Sequence, residues 1–485
     1  QVRSRQVKGT RCSSMGTANS VGIEAALDGA SDDDIRQCLC NLPSNVLERL
    51  NIDSSGTSKG HLGSDLNEEE NKAKARDALE AALFGSDLAK EENRAKARDA
   101  IEDALFGSEL TEEESKAKAR DAIEVALFGR PIEQGSVGTA PPGLLVLGLN
   151  PAWQTIMGLN RLDLGQVNRA VDARSGVGGK GQNAAKAAAN FIAHNLDTID
   201  EESFGVTVAQ FLGGATGDQI RSHLDNLGIA DISAVTAAAT RQTVTLLDYP
   251  DPASAPTVTE LITPGDEVPD LAVSDLQAKL VADAPKHKGI LLMGTWPKGV
   301  SKEIYAATAK AKGDGALVLM DAFKPTEDIS SILAEGAVDI YKVNAFELCT
   351  IMGGQNLKEG EVTLEQITDA AIRAFDKFAG VKYLAITDGP GSAFLFSREP
   401  RQAFRYTVPK VTCLNPIGAG DTVAGVTMAA FCSGLANDSM QDALHSGLAA
   451  AVAKVQNDSE GGLFDINTML DVKAMIECVR IPFEG

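Results

Sequence analysis

Asn415-Pro416-Ile417-Gly418-Ala419-Gly420-Asp421-Thr422, running straight into the apolar, small-residue stretch Val423 to Phe431, decides how this chain is read. Small residues ahead of a helix let consecutive backbone N–H groups close on an anion, and the unsatisfied donors and the dipole of the helix start favour negative charge there. A carboxylate fixed at the same helix start can take a proton from an alcohol. Phosphoryl transfer to a hydroxyl needs that pair of devices, a base and an anion hole. Alone, the stretch reads equally well as an ordinary glycine-rich turn with Asp421 at a helix start.

Upstream, Val177-Gly178-Gly179-Lys180-Gly181-Gln182-Asn183-Ala184-Ala185 opens a second Ala-rich helix and presents Lys180 and Asn183 from a glycine turn. A lysine at a helix N-terminus works against the dipole, and an anionic or polyhydroxy ligand supplies a reason for it. Neither stretch is a Walker A, since GxxxxGK[ST] is absent from both. From Leu144 to the end, the apolar runs Leu144–Leu149, Gly289–Met293, Ala316–Leu319 and Tyr383–Ile386 alternate with helical stretches. That is the rhythm of an α/β domain built on a largely parallel, two-sided sheet.

Together, in this order, the two motifs resemble the PfkB (ribokinase-like) carbohydrate kinase family, from Leu144 almost to the C-terminus. The resemblance is strongest to its 1-phosphofructokinase and tagatose-6-phosphate kinase branch, through Asn150-Pro151-Ala152 and Gly165-Gln166-Val167-Asn168-Arg169. Further ordered matches are Phe211 to Gly217, Thr240-Arg241, Thr259-Glu260, Gly294 to Val300 and Lys342 to Leu348. The resemblance implies a ribokinase-like three-layer sandwich with a mostly parallel central sheet and a small β lid. It implies ATP and Mg²⁺ as cofactors and a sugar or sugar phosphate as acceptor, a hexose phosphate such as fructose 1-phosphate being favoured. It makes Asp421 the base and the amides of Gly418, Ala419 and Gly420 the anion hole. Asn344 and Glu347 match an NxxE element that organises Mg²⁺ through water, and Thr387 and Gly389 match the turn lining the nucleotide. Gly179, Lys180, Asn183 and Arg241 match sugar and sugar-phosphate contacts. One departure stands out: the branch carries an Asp two positions after Asn-Pro-Ala, where this chain has Gln154, which keeps hydrogen-bonding capacity but not charge.

The rest of the chain bounds these expectations. At 485 residues and a formal net charge of −22 it has room for about two or three domains and repels nucleic acid and anionic membranes over most of its surface, so an anionic ligand must meet a locally basic pocket. Seven Cys without a CxxC pair suit a reducing compartment, and five His without HxxxH spacing argue against a zinc hydrolase. No apolar run is long enough for a transmembrane helix. Residues 1–63 read as a transit-like, flexible region with short helices; their basic, Ser-containing start points to a plastid or another organelle, with a plain tail on a cytoplasmic protein as the alternative. Residues 64–129 are three 22-residue units, beginning SDLNEEENKAKARDALEAALFG, each read as one acidic helix ending at Gly85, Gly107 or Gly129. They serve either as a spacer or as docking repeats for a protein partner. Residues 130–143 read as a Pro-containing linker and 144–485 as the kinase domain. Oligomerisation is compatible with this layout. Two other readings stay open: a kinase-like scaffold or regulatory subunit docked through the repeats, and a kinase for an unphosphorylated sugar or a nucleoside.

Overall fold

The structure, a computed structural model, describes residues 143–483 apart from 196–197, 200–203, 250–254, 356 and 359. The expected N-terminal region, helical repeats and linker lie outside the described residues.

The chain enters on β1 (Leu144–Leu147), crosses into β2 (Ala152–Leu159) and β3 (Asp172–Gly178), and turns into α1 (Lys180–Ala193). Next come β4 (Val206–Leu212), α2 (Gly214–Asp225), β5 (Ala230–Val235), β6 (Gln242–Asp248) and β7 (Thr257–Ile262). The middle alternates α3 (Asp270–Asp283), β8 (Gly289–Met293), α4 (Glu303–Lys310), β9 (Leu317–Asp321), α5 (Thr326–Ala334), β10 (Ile340–Asn344), α6 (Ala345–Ile351) and α7 (Leu364–Lys377). Last are β11 (Tyr383–Asp388), β12 (Ser392–Ser397), β13 (Gln402–Thr407), α8 (Ala419–Cys432), α9 (Met440–Val455), α10 (Ile466–Met475) and β14 (Glu477–Ile481).

The main sheet has ten strands in the order β14-β13-β12-β11-β10-β9-β8-β1-β4-β5. From β5 to β11 every neighbouring pair is parallel, and β12 to β14 add antiparallel strands on the β11 side. The apolar runs of the sequence become β1, β8, β9 and β11, and β1 and β8 are buried at every position because helices cover both faces of the sheet. One core cluster joins one sheet face to α1, α8 and α9; the other joins the opposite face to α3 through α7. Strands β3-β2-β6-β7 form a separate four-stranded sheet whose outer strand, β7, is largely exposed.

Small residues in α1 and α8 have a packing purpose. A Cβ on Gly425 would stand 2.1 Å from the Ala184 carbonyl oxygen, so α8 approaches the backbone of α1 at contact distance. These two helices begin with the two glycine motifs, and their close packing brings Lys180, Asn183 and Asp421 together.

Candidate active site

The candidate residues lie at the carboxyl ends of parallel strands and at the N-termini of α1 and α8, the edge where open α/β sheets bind ligands. A cleft of about 440 Å³ opens there, lined by Lys180, Arg241, Lys324, Asn344 and Glu347 among others. Three of these are cations, in a chain whose net charge is −22. The basic pocket expected from the charge balance is therefore present.

Gly418 is the N-cap of α8, with φ at 77°, a left-handed conformation that disfavours any side chain. No side chain caps this helix. Ala419 N donates to Pro416 O at 3.3 Å, whereas the N–H groups of Gly418 and Gly420 have no acceptor among the described residues. Two of the three expected anion-hole amides are thus free. Three residues on, Asp421 is buried, and its Oδ2 accepts from Asn183 Nδ2 at 2.9 Å. Burial pushes its carboxyl up to about 6, with the nearby Lys180 charge pulling the other way. A carboxylate poised there can both accept a proton and be ionised at neutral pH. The buried Asn183 Oδ1 has no donor among the described residues and packs against Gly461, and neither Asn183 nor Asp421 is among the residues lining the cleft.

Lys180 does not quench Asp421 by pairing with it. Its Nζ bonds Asp321 Oδ1 at 3.1 Å, while Asp321 Oδ2 takes Lys342 Nζ at 2.6 Å. The Asp321 charge is the main reason that Lys180 is held above the ordinary lysine range, against the pull of burial. For Asp321 itself burial works to raise the pKa, but the two lysines outweigh it and hold the carboxyl below the usual range. A Cβ on Gly420 would lie 3.7 Å from Lys342 Nζ, so the buried lysine backs the anion turn. Asp321 carries no expectation from the sequence, its only signal being an acid closing the apolar run Leu317-Val318-Leu319-Met320, and Lys342 stands in a matched stretch without a role of its own.

The other expected residues have mixed fates. Asn344 caps α6 by accepting from Glu347 N at 2.8 Å, and Glu347 Oε2 accepts from Asn344 N at 3.0 Å. The NxxE element is therefore a capping box that also lines the cleft, with Glu347 Oε1 outside that exchange. Thr387 is the register partner of Asn344 on β11, and Gly389 lies in the turn after it; neither lines the cleft. Arg241 lines the cleft, yet it donates to Asn150 O at 2.8 Å and Pro151 O at 3.2 Å, pinning the crossing from β1 into the lid. Gln154 is buried in the lid sheet, donating to Thr245 Oγ1 at 2.8 Å, and does not line the cleft. Gly179 is the N-cap of α1. Lys324, unassigned in the sequence, lines the cleft and has no ion-pair partner among the described residues.

The sequence over residues 152–463 matches the pfkB family carbohydrate kinases. The chain belongs to that family. It is an ATP-dependent carbohydrate kinase. Among solved structures, phosphofructokinase-2 from Escherichia coli, in complex with substrates and products, superposes with a TM-score of 0.58 at 19% identity, covering 69% of this chain and 99% of that one. Arabidopsis thaliana ribokinase, complexed with ribose and ATP, gives 0.51 at 20% identity over 69% of this chain and 99% of that one. At these identities the neighbours show the fold: a ribokinase-like core with a mostly parallel sheet and a small lid sheet.

One join between the lid and this pfkB core is a partly buried carboxylate. Glu460, in the loop after α9, accepts from Val177 N at 3.1 Å and Lys186 Nζ at 2.6 Å, and its Oε1 lies 2.8 Å from His223 Nε2. Burial alone would raise this carboxyl, but His223 and Lys186 outweigh it and hold it at about 2, below its ordinary 4.5. The depressed acid stabilises the fold fully above pH 4.5, and that stabilisation drains away as pH falls through about 2. The shift corresponds to roughly 3 kcal/mol. Glu460→Gln should lower the urea-unfolding free energy at neutral pH by up to this amount and flatten the acid limb of the stability curve. Identical acid limbs in parent and variant would remove Glu460 from the account.

Proposed function

We propose that this kinase transfers the γ-phosphoryl group of ATP to a hydroxyl of a sugar phosphate, with a hexose phosphate such as fructose 1-phosphate favoured and Asp421 as the base. One observation carries the proposal: Asp421 is buried at the uncapped start of α8, held by Asn183 and kept free of a direct cation because Asp321 takes Lys180. Asp421 accepts the hydroxyl proton, and Asn183 Nδ2 holds its carboxylate in place. The Gly418 and Gly420 amides, with the weakly engaged Ala419 between them, cradle the transferring group, and Lys180 compensates its charge.

Two cations, Arg241 and Lys324, remain on the cleft wall for a second phosphate, which favours a phosphorylated acceptor over a free sugar or a nucleoside. This agrees with the resemblance to the 1-phosphofructokinase and tagatose-6-phosphate kinase branch. The donor set at Glu347 suits Mg²⁺, which keeps several waters and needs only one or two carboxylate oxygens besides the substrate phosphates. Glu347 would hold it, with Asn344 organising the waters, and the ion would offset phosphate charge.

The test is Mg²⁺-dependent ADP release with fructose 1-phosphate, fructose 6-phosphate, tagatose 6-phosphate, fructose, ribose and adenosine. Turnover highest on a sugar phosphate is expected. Turnover confined to ribose or adenosine would overturn the acceptor class while leaving the base in place.

A further inference from the structure

Lys454, on the last turn of α9, is completely buried, and its partners are backbone carbonyls alone. Its Nζ donates to Asn415 O at 3.1 Å and Ser459 O at 3.4 Å. A buried ammonium without a bonded carboxylate is costly, so its position calls for a reason beyond filling space. A lysine also complements the C-terminal dipole of its helix, but an exposed side chain would do that as well.

The reason lies in what the two carbonyls belong to. Asn415 opens the turn that leads to Gly418 and Asp421, and it is gripped on every side. Its N–H donates to Val455 O at 3.2 Å, its Nδ2 to Ser459 O at 2.8 Å, and its Oδ1 accepts from Ile417 N at 3.0 Å. Lys454 supplies the remaining hold, on the carbonyl. Ser459 precedes Glu460, the lid's anchor, and Gly461, whose Cα would stand 2.9 Å from a Cβ on Gly418 and whose own Cβ would meet Asn183 Oδ1 at 2.5 Å. The ammonium thus ties the anion turn to the loop that backs both that turn and the residue bonded to Asp421.

We propose that Lys454 is a positioning residue for phosphoryl transfer, its buried ammonium clamping the Asn415 and Ser459 carbonyls so that the Gly418–Asp421 turn keeps its catalytic geometry. The proposal rests on the reading of that turn as the cradle of the transferring group. Misplacing such a group by about 1 Å is enough to cost about 10²-fold in rate. The titratable and charged groups facing Lys454 are Cys413, ahead of the turn, Asp458, in the loop after α9, Lys186 on α1 and Arg174 on β3. Burial lowers its pKa to about 8; Cys413 and Asp458 support the charge, while Lys186 and Arg174 oppose it. The clamp is therefore charged at neutral pH, and its charge-assisted hold on the two carbonyls weakens as pH rises through about 8.

The experiment measures kcat, both KM values and thermal midpoints for the full chain and for Lys454→Met and Lys454→Ala, from about pH 6.5 to about pH 9.5. Folded Lys454→Met should lose about 10²-fold in kcat with the KM for ATP unmoved. The parent's kcat should fall above pH 8, and the methionine variant should lack that alkaline limb. Ammonium chloride should restore part of the alanine variant's kcat by occupying the carbonyl-lined void, where tetramethylammonium chloride does not. A folded methionine variant with parental kcat overturns the proposal, as does a variant that loses thermal stability alone. Should neither variant fold, the parent profile decides by itself, a kcat flat through about pH 9.5 overturning the proposal. A parent inactive on every acceptor would instead sink the reading of the turn as a phosphoryl cradle, so the two failures are distinct.

Discussion

Asp421→Asn should cut kcat by about 10²- to 10⁴-fold, the usual worth of a positioned general base, while ATP binding measured by calorimetry stays close to that of the parent. The amide keeps the shape of the side chain and can still accept from Asn183, so the loss isolates proton acceptance. The parent's own pH profile gives an independent check. With burial raising the Asp421 carboxyl to about 6, the ionised base predominates above that pH and is lost below it. The rate should therefore decline as pH falls through about 6, and the residual activity of the Asn variant should show no such limb. An Asn variant within tenfold of the parent, or a parent profile unchanged down to the ordinary carboxylate range, would take Asp421 out of the chemistry.

The second large effect is expected at Asp321, which no sequence motif singled out. Its carboxylate lies between Lys342, whose side chain is 5% exposed, and Lys180. Removing one member of a buried ion pair strands the other, at a typical cost of about 3–5 kcal/mol. Asp321→Asn should show this as a lowered urea midpoint, and adding Lys342→Met should recover part of it by removing the stranded charge. The same variant should move the acid limb of activity to lower pH. The Asp321 charge helps to keep the Asp421 carboxyl raised, and without it Lys180 acts on Asp421 unopposed. A stability change under about 1 kcal/mol would mean that water reaches Lys342 well enough to replace its partner.

These two residues mark the boundary of what could be read in the sequence. Asp421 was legible because its neighbours restrict what can stand there: glycines before it and small apolar residues after it. The parallel sheet was legible because strands buried on both faces leave uninterrupted apolar runs, as at Leu144–Leu149 and Gly289–Met293. Asp321 is one of 67 acids, and only its pairing with two lysines from other elements distinguishes it. The same applies to Lys186, Lys454 and Glu460, whose partners lie across the fold. The antiparallel strands β12 to β14 likewise depend on register between distant segments. Asn344 and Glu347 were legible as a motif, but the capping box they form could equally serve any helix, so the pattern alone does not separate the structural use from a ligand-binding one.

The division between the two sheets has a consequence for how acceptor choice can change. Asp421, Asn183, Lys180 and the anion turn all stand on helices fastened to the main sheet and to each other through Gly425. Gln154 lies on β2 and Arg241 just ahead of β6, both in the lid, which meets the core at few points, notably Arg241 on the crossing strand and Glu460 on Val177. Substitutions in the lid can therefore retune which sugar is accepted while the phosphoryl-transfer apparatus stays intact. Gln154, where the branch that this chain resembles has an acidic side chain, is a difference of that kind, placed in the half of the molecule that can vary without disturbing the anion turn.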